Sequence, residues 1–283
     1  MRRVFTAAFL FLCLTACAPT AVVSSFQHAS PLPANEGFLV IKETEIVDEQ
    51  AKELGDIYIK DAGLAVNCSY EKVLALATNE ARQLGANMLQ IYEHQVPDMR
   101  STCHRIRAKA LRVPDLSRYE KEIVWHPSRR LKQADFKGST ESRPFEAATS
   151  SNIRYKYMGR VFQDNIQLTV ETFFNCQESY FKGTQDVAHT LEHEQGHFDI
   201  TEIQARRFVK AIKEQVADTK ELEIKHETIY RQIISEAQRM HDKYDSEIYP
   251  DHSKQAAWLQ QIEQQLNDLQ PFADKQVAIK VRL

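Results

Sequence analysis

Two histidines four residues apart, with a glutamate directly after the first, sit inside a long helical pattern: His193-Glu194-Gln195-Gly196-His197. Residues four apart are ~40° apart around an α-helix, so both imidazoles project from one face. That geometry suits two ligands of a tetrahedral zinc. Glu194 falls beside such an ion rather than on it, where a carboxylate can deprotonate water and pass the proton to a leaving amine. The helix is expected from Asp186 to Val216. Asp186 can cap its start, and Val187, Leu191, Phe198, Ala205, Val209, Ile212 and Val216 make an apolar stripe. The stripe is centred about 100° from the histidine face, so one side is buried and another is offered to a cleft. Gly196 costs up to ~1 kcal/mol relative to alanine, which points to a close approach at that position.

A catalytic zinc needs a third protein ligand. Asp199 and Glu202 point ~200° and ~140° away from His197. His189, one turn before His193, would stretch a three-histidine set over ~12 Å, too far for one ion. The remaining candidates lie downstream: Glu221, Glu223, His226, Glu227, His241, Glu247, Asp251 and His252. Among them Tyr249-Pro250-Asp251-His252 reads as a non-helical turn between two helices, where a loop could fold back over the metal. Glu202 and Arg206 are spaced for an ion pair. Tyr244 or Tyr249 could donate to an oxyanion. Trp258 reads as core, with Leu259 and Ile262 beside it.

The N-terminus carries a second signal. Arg2 and Arg3 precede an apolar run from Val4 to Leu14, too short to span a bilayer. Leu14-Thr15-Ala16-Cys17 resembles the lipobox of bacterial lipoproteins. That resemblance implies a signal peptide over 1–16, cleavage before Cys17, and acyl chains (palmitate among them) on Cys17 that anchor the chain to a membrane. Ala18, not aspartate, favours the outer membrane, facing periplasm or exterior. In an exported chain an oxidising compartment favours one disulfide, and Cys68 and Cys103 share one region, leaving Cys176 as a small buried hydrophobe. Lys+Arg 36 against Asp+Glu 39 gives a net charge of -3, which excludes the basic field that nucleic acid needs.

Residues 17–36, rich in Ala, Ser, Pro and Thr, read as a tether. A first domain, 37–114, has strand patterns at Phe38–Ile41, Ile57–Ile59, Met88–Tyr92 and Ile106–Val113. Between them Tyr70–Leu84 is helical, with a stripe of Val73, Leu76, Ala77, Ala81 and Leu84 and an exit at Gly85-Ala86-Asn87. This is a small α+β module. With Cys68, Gly85-Ala86-Asn87 and Cys103 it resembles small lipoprotein domains such as the Rcs-pathway envelope-stress sensor; a structural or docking module is expected rather than a sensor. A linker over 115–124 leads to a domain over 125–283. Its expected elements are strands at Val161-Phe162, Ile166–Val170, Phe173-Phe174 and Gln276–Leu283, and helices at 186–216, 220–243 and 258–269.

Residues 125 to 265 resemble a family of bacterial proteins described as predicted secreted zinc-dependent proteases, domain of unknown function 922. The matching segments are Leu131–Gly138, Glu146–Thr149, His193–Asp199 with Glu202 and Ala205-Arg206, and Tyr244-Asp245 followed by His252, Gln255 and Trp258. Ile248 stands where the family has threonine, and Ser253 follows His252 where glycine is usual. The resemblance implies a zincin-like α+β domain, a β-sheet plus the long helix of the motif, holding one zinc per chain. It implies His252 as third ligand beside His193 and His197, and Glu194 as catalytic base; Glu247 is the alternative ligand, in the manner of His-His-Glu peptidases. The expected activity is hydrolysis of a protein or peptide substrate in the cell envelope. A zinc amidase acting on cell-wall peptide, and a non-catalytic envelope scaffold with a vestigial metal site, are the rival expectations.

Overall fold

The computed structural model describes residues 19–27, 29–47, 49–61, 68–159 and 164–282. The expected signal peptide, Cys17 and the expected strand at Val161-Phe162 lie outside them. The chain has an α+β fold and divides into two units, Met1–Tyr119 and Glu120–Leu283, so the division falls inside the expected linker. No helix among the described residues is long and apolar enough to cross a membrane.

The first unit holds strands β1 (Thr20–Ser25), β2 (Leu39–Lys42), β3 (Lys52–Lys60), β4 (Met88–Gln95) and β5 (Arg105–Arg112), and helix α1 (Tyr70–Gln83). The sheet order is β1-β3-β5-β4-β2, with β2 and β4 parallel and the other pairs antiparallel. Alternate residues Ile57 and Ile59 of β3, and Ile106, Ala108 and Ala110 of β5, meet Val73, Ala77 and Ala81 of α1 in one core. Gly85 ends α1 with φ +84°, and Ala86 N–H reaches back to Ala81 O (3.0 Å). The expected disulfide is present: Cys68 and Cys103 are bonded, with Cα atoms 5.0 Å apart.

The tether expectation needs correcting here. Residues 20–25 form β1, paired with β3 along its whole length. The stretch after it is pinned to α1, with Arg82 donating to Pro33 O and Glu36 O and Leu32 N–H donating to Arg82 O. The small polar residues around Val22-Val23 disguised a β-branched run with strand preference.

The second unit contains β6 (Glu122–Val124), β7 (Ala147–Ala148), β8 (Ser151–Met158), β9 (Asn165–Asn175), β10 (Tyr180–Phe181) and β11 (Gln276–Lys280). Its helices are α2 (Val187–Gln215), α3 (Thr219–Ile248) and α4 (Gln255–Asp268). The two strand patterns expected on either side of residue 171 are one long strand, β9. It pairs with β8 on one edge and with β6 and β11 on the other. Gln276–Lys280 is an edge strand, as its alternation suggested.

Helix α2 is the axis of this unit. Ala205, Phe208, Val209 and Ile212 pack on Ile153, Leu168 and Val170 of the sheet and on Leu222, Ile229 and Ile233 of α3. Ile200 and Ile203 pack on Tyr244, Trp258 and Ile262 of α3 and α4. Asp186 caps α2 by accepting from His189 N–H. Asp218 caps α3 by accepting from Glu221 N–H, while Glu221 accepts from Ala217 N–H.

Candidate metal centre

Helices α2 and α3 each present a pair of polar residues one turn apart, and the two pairs face one another. His193 and His197 come from α2; His241 and Asp245 come from α3. His193 Nε2 lies 3.0 Å from Asp245 Oδ1, His197 Nε2 lies 2.9 Å from the same oxygen, and the two Nε2 atoms are 3.2 Å apart. Three lone-pair donors thus converge on one point, and His193, His197 and Asp245 form a group that could hold a metal ion.

The helices approach this closely because of Gly196. A Cβ there would sit 2.7 Å from Tyr244 Cζ and run into its hydroxyl. The close approach that the glycine signalled is therefore Tyr244 of α3. Its ring stacks on His193 (4.7 Å, 12°), meets His197 edge-on (5.0 Å, 89°), and rests against Trp258. Trp258 is core, as expected.

The structure does not bring His252 or Glu247 to the triad. The reason is the length of α3, which stays helical to Ile248 rather than ending near Lys243 and so delivers Asp245 first. His252 follows in a short 3-10 turn, and its Nδ1 lies 3.0 Å from His189 Nε2, the rings stacked. Glu247, two residues past Asp245 and so ~200° around the helix, accepts from Trp258 Nε1 (2.9 Å). Tyr244 is corrected too: it is fully buried and its hydroxyl donates to His193 O (3.3 Å), so it faces no substrate. Tyr249 is half exposed, its ring 5.5 Å from His193 and stacked on Phe145.

Asp245 is the residue that sequence reasoning missed. Its signal was present: it lies one turn after His241, in a helix that has no stop before Pro250.

Glu194 is 2 % exposed, and its Oε2 has no hydrogen-bond partner among the described residues. Burial pushes its carboxyl up from the ordinary range, against the pull of His197 and His193. Burial also raises Asp245, but its bonds to His193 and His197 outweigh this and hold it well below the usual carboxylate range. Burial, reinforced by His197, draws His241 down to about 4. Burial raises the Tyr249 hydroxyl.

Two pockets of about 260 and 360 Å³ flank this centre and share Phe145, Ala147, Glu194 and Tyr249 as walls. The first also holds His189, His193 and His252; the second holds His197, His241 and Asp245. Thr149, in the segment between β7 and β8, donates to Glu194 O (3.2 Å). A larger groove of about 1110 Å³ runs past Trp125 and α4 on another side of α2. Its buried charges are internally satisfied. Asp199 accepts from Trp125 Nε1, Gln195 Nε2 and Arg130. Glu202 and Arg206 form the expected ion pair, buried and joined by Lys275 and Thr172. Cys176 is buried, as expected, and burial pushes its thiol up to about 11.

Comparison with protein-family models, with curated proteins and with solved structures found no match to this chain.

Proposed function

We propose that the second unit is a zinc-dependent peptidase domain of zincin-like architecture, with His193, His197 and Asp245 as ligands and Glu194 as general base. The observation that carries the reading is the donor triangle. A tetrahedral zinc with ~2.0–2.1 Å bonds holds its ligand atoms roughly 3.3 Å apart; the three donors here are 2.9–3.2 Å apart. Three protein donors rather than four among the described residues leave a coordination position for substrate or water, which favours a catalytic over a structural site.

A zinc held by His193, His197 and Asp245 would supply a Lewis acid and would acidify water at the site. Glu194 takes the proton of the attacking water and returns it to the leaving amine. Burial raises its pKa, which favours uptake of the proton that it must later release. Tyr249, at the wall shared by the two pockets, donates to the oxyanion as the carbonyl carbon becomes tetrahedral. Tyr244 and Gly196 hold the imidazoles in place. The substrate is a peptide lying across both pockets, with its scissile bond above Glu194. Lipid at Cys17 would hold the domain at the membrane of the cell envelope, as the lipobox resemblance implies.

The test uses the full-length chain in mild detergent, wild type beside Glu194→Gln. Zinc content should be equal in the two, while hydrolysis of a peptide pool falls at least ~10²-fold in the variant. Equal turnover by both would remove Glu194 from the mechanism.

A further inference from the structure

Each imidazole of the triad has a second nitrogen, and the two are treated differently. His193 Nδ1 is buried and has no hydrogen-bond partner among the described residues; its ring is held by stacking on Tyr244. His197 Nδ1 lies 2.9 Å from His241 Nδ1. His241 Nε2 in turn lies 3.4 Å from Thr201 Oγ1, which is 2.7 Å from Ser151 Oγ and 3.1 Å from His197 O.

One proton assignment satisfies the chain. Binding a metal through Nε2 leaves the single proton of neutral His197 on Nδ1. Two nitrogens 2.9 Å apart share one proton, so His241 Nδ1 must accept. The His241 proton then sits on Nε2 and points to Thr201 Oγ1. The Thr201 hydroxyl donates to His197 O or to Ser151. No other tautomer of His241 both receives the His197 proton and faces a hydroxyl acceptor.

We propose that His241 is a positioning residue that fixes the tautomer and ring orientation of His197 for metal binding. This rests on the zinc reading of the triad. The same helix delivers both parts, since His241 and Asp245 are one turn apart on α3. The outer partner here is a neutral imidazole rather than the common carboxylate, so it orients His197 without adding negative charge to the site.

The test compares full-length wild type, His241→Ala and His241→Gln. Zinc affinity is measured by competition with a chromophoric chelator, and the His241 tautomer by long-range ¹H–¹⁵N correlation of the histidine rings in the zinc-loaded protein. His241→Ala should bind zinc ~10–100-fold more weakly. His241→Gln, whose amide oxygen can accept, should recover much of the affinity. Zinc binding within threefold of wild type in His241→Ala would overturn the proposal while leaving the zinc reading intact. A wild type that binds no zinc removes the zinc reading and this inference with it. If both variants fail to fold, the wild-type spectrum decides: a His241 proton on Nε2 supports the role, and one on Nδ1 refutes it.

Discussion

Glu194 and Glu202 lie two turns apart on α2 and are both buried, yet their surroundings differ. Glu202 accepts from Arg206, Lys275 and Thr172. Glu194 leaves one oxygen without a partner. A buried carboxylate that is fully bonded holds structure together; one that is not is retained against a desolvation cost. Replacing Glu202 by alanine strands Arg206 and Lys275 and should cost ~3–5 kcal/mol, read by denaturant unfolding. Replacing Glu194 by glutamine should leave the metal-free protein as stable as wild type, or up to ~1 kcal/mol more so, while removing hydrolysis. A large loss of stability in Glu194→Gln would show that the carboxylate is structural. At Cys176, burial and a thiol pKa near 11 leave little thiolate at pH 8. Iodoacetamide should modify it only at the rate of unfolding, and fast labelling of the native protein would contradict its burial.

At the scale of elements, the account depends on the crossing of α2 and α3. Gly196→Ala gains up to ~1 kcal/mol of helix propensity but pushes a methyl into Tyr244, where overpacking costs ~1–3 kcal/mol. The expected result is lower thermal stability together with loss of metal, because the displaced ring stacks on His193 and meets His197. Unchanged metal binding in this variant would mean that Tyr244 does not set the positions of the imidazoles. The same crossing explains what the sequence disclosed and what it hid. Periodicity and capping residues located α2 within a residue or two, and the histidine spacing within one helix is a local property. The partner of those histidines is not local. It depends on where α3 ends and how it packs, and the helix expected to end at Lys243 runs on to Ile248. Carried to Ile248, the helix brings Asp245 rather than His252 to the motif. The segment 151–158 escaped notice for a similar reason: with few apolar residues facing the core, β8 is specified mainly by pairing with β9.

At the scale of the whole chain, the two units rest on different supports. The first has a small core and a disulfide that closes a 35-residue separation. Replacing Cys68 and Cys103 by alanine should cost that unit about 2–5 kcal/mol and leave metal binding by the second unit unchanged, since every proposed ligand belongs to residues 120–283. A variant that lost its metal would show that the triad depends on the first unit. The α+β class and most strands of the first unit were legible from alternation and turn residues. Its edge strand β1 was not, because an edge strand buries little and its composition resembles a linker. The most direct test of the central claim is metal content by mass spectrometry of the full-length chain, in wild type, Asp245→Ala and His252→Ala. The account predicts one zinc in wild type, one in His252→Ala, and none in Asp245→Ala. Retention in Asp245→Ala with loss in His252→Ala would contradict it and return the third ligand to the loop after α3.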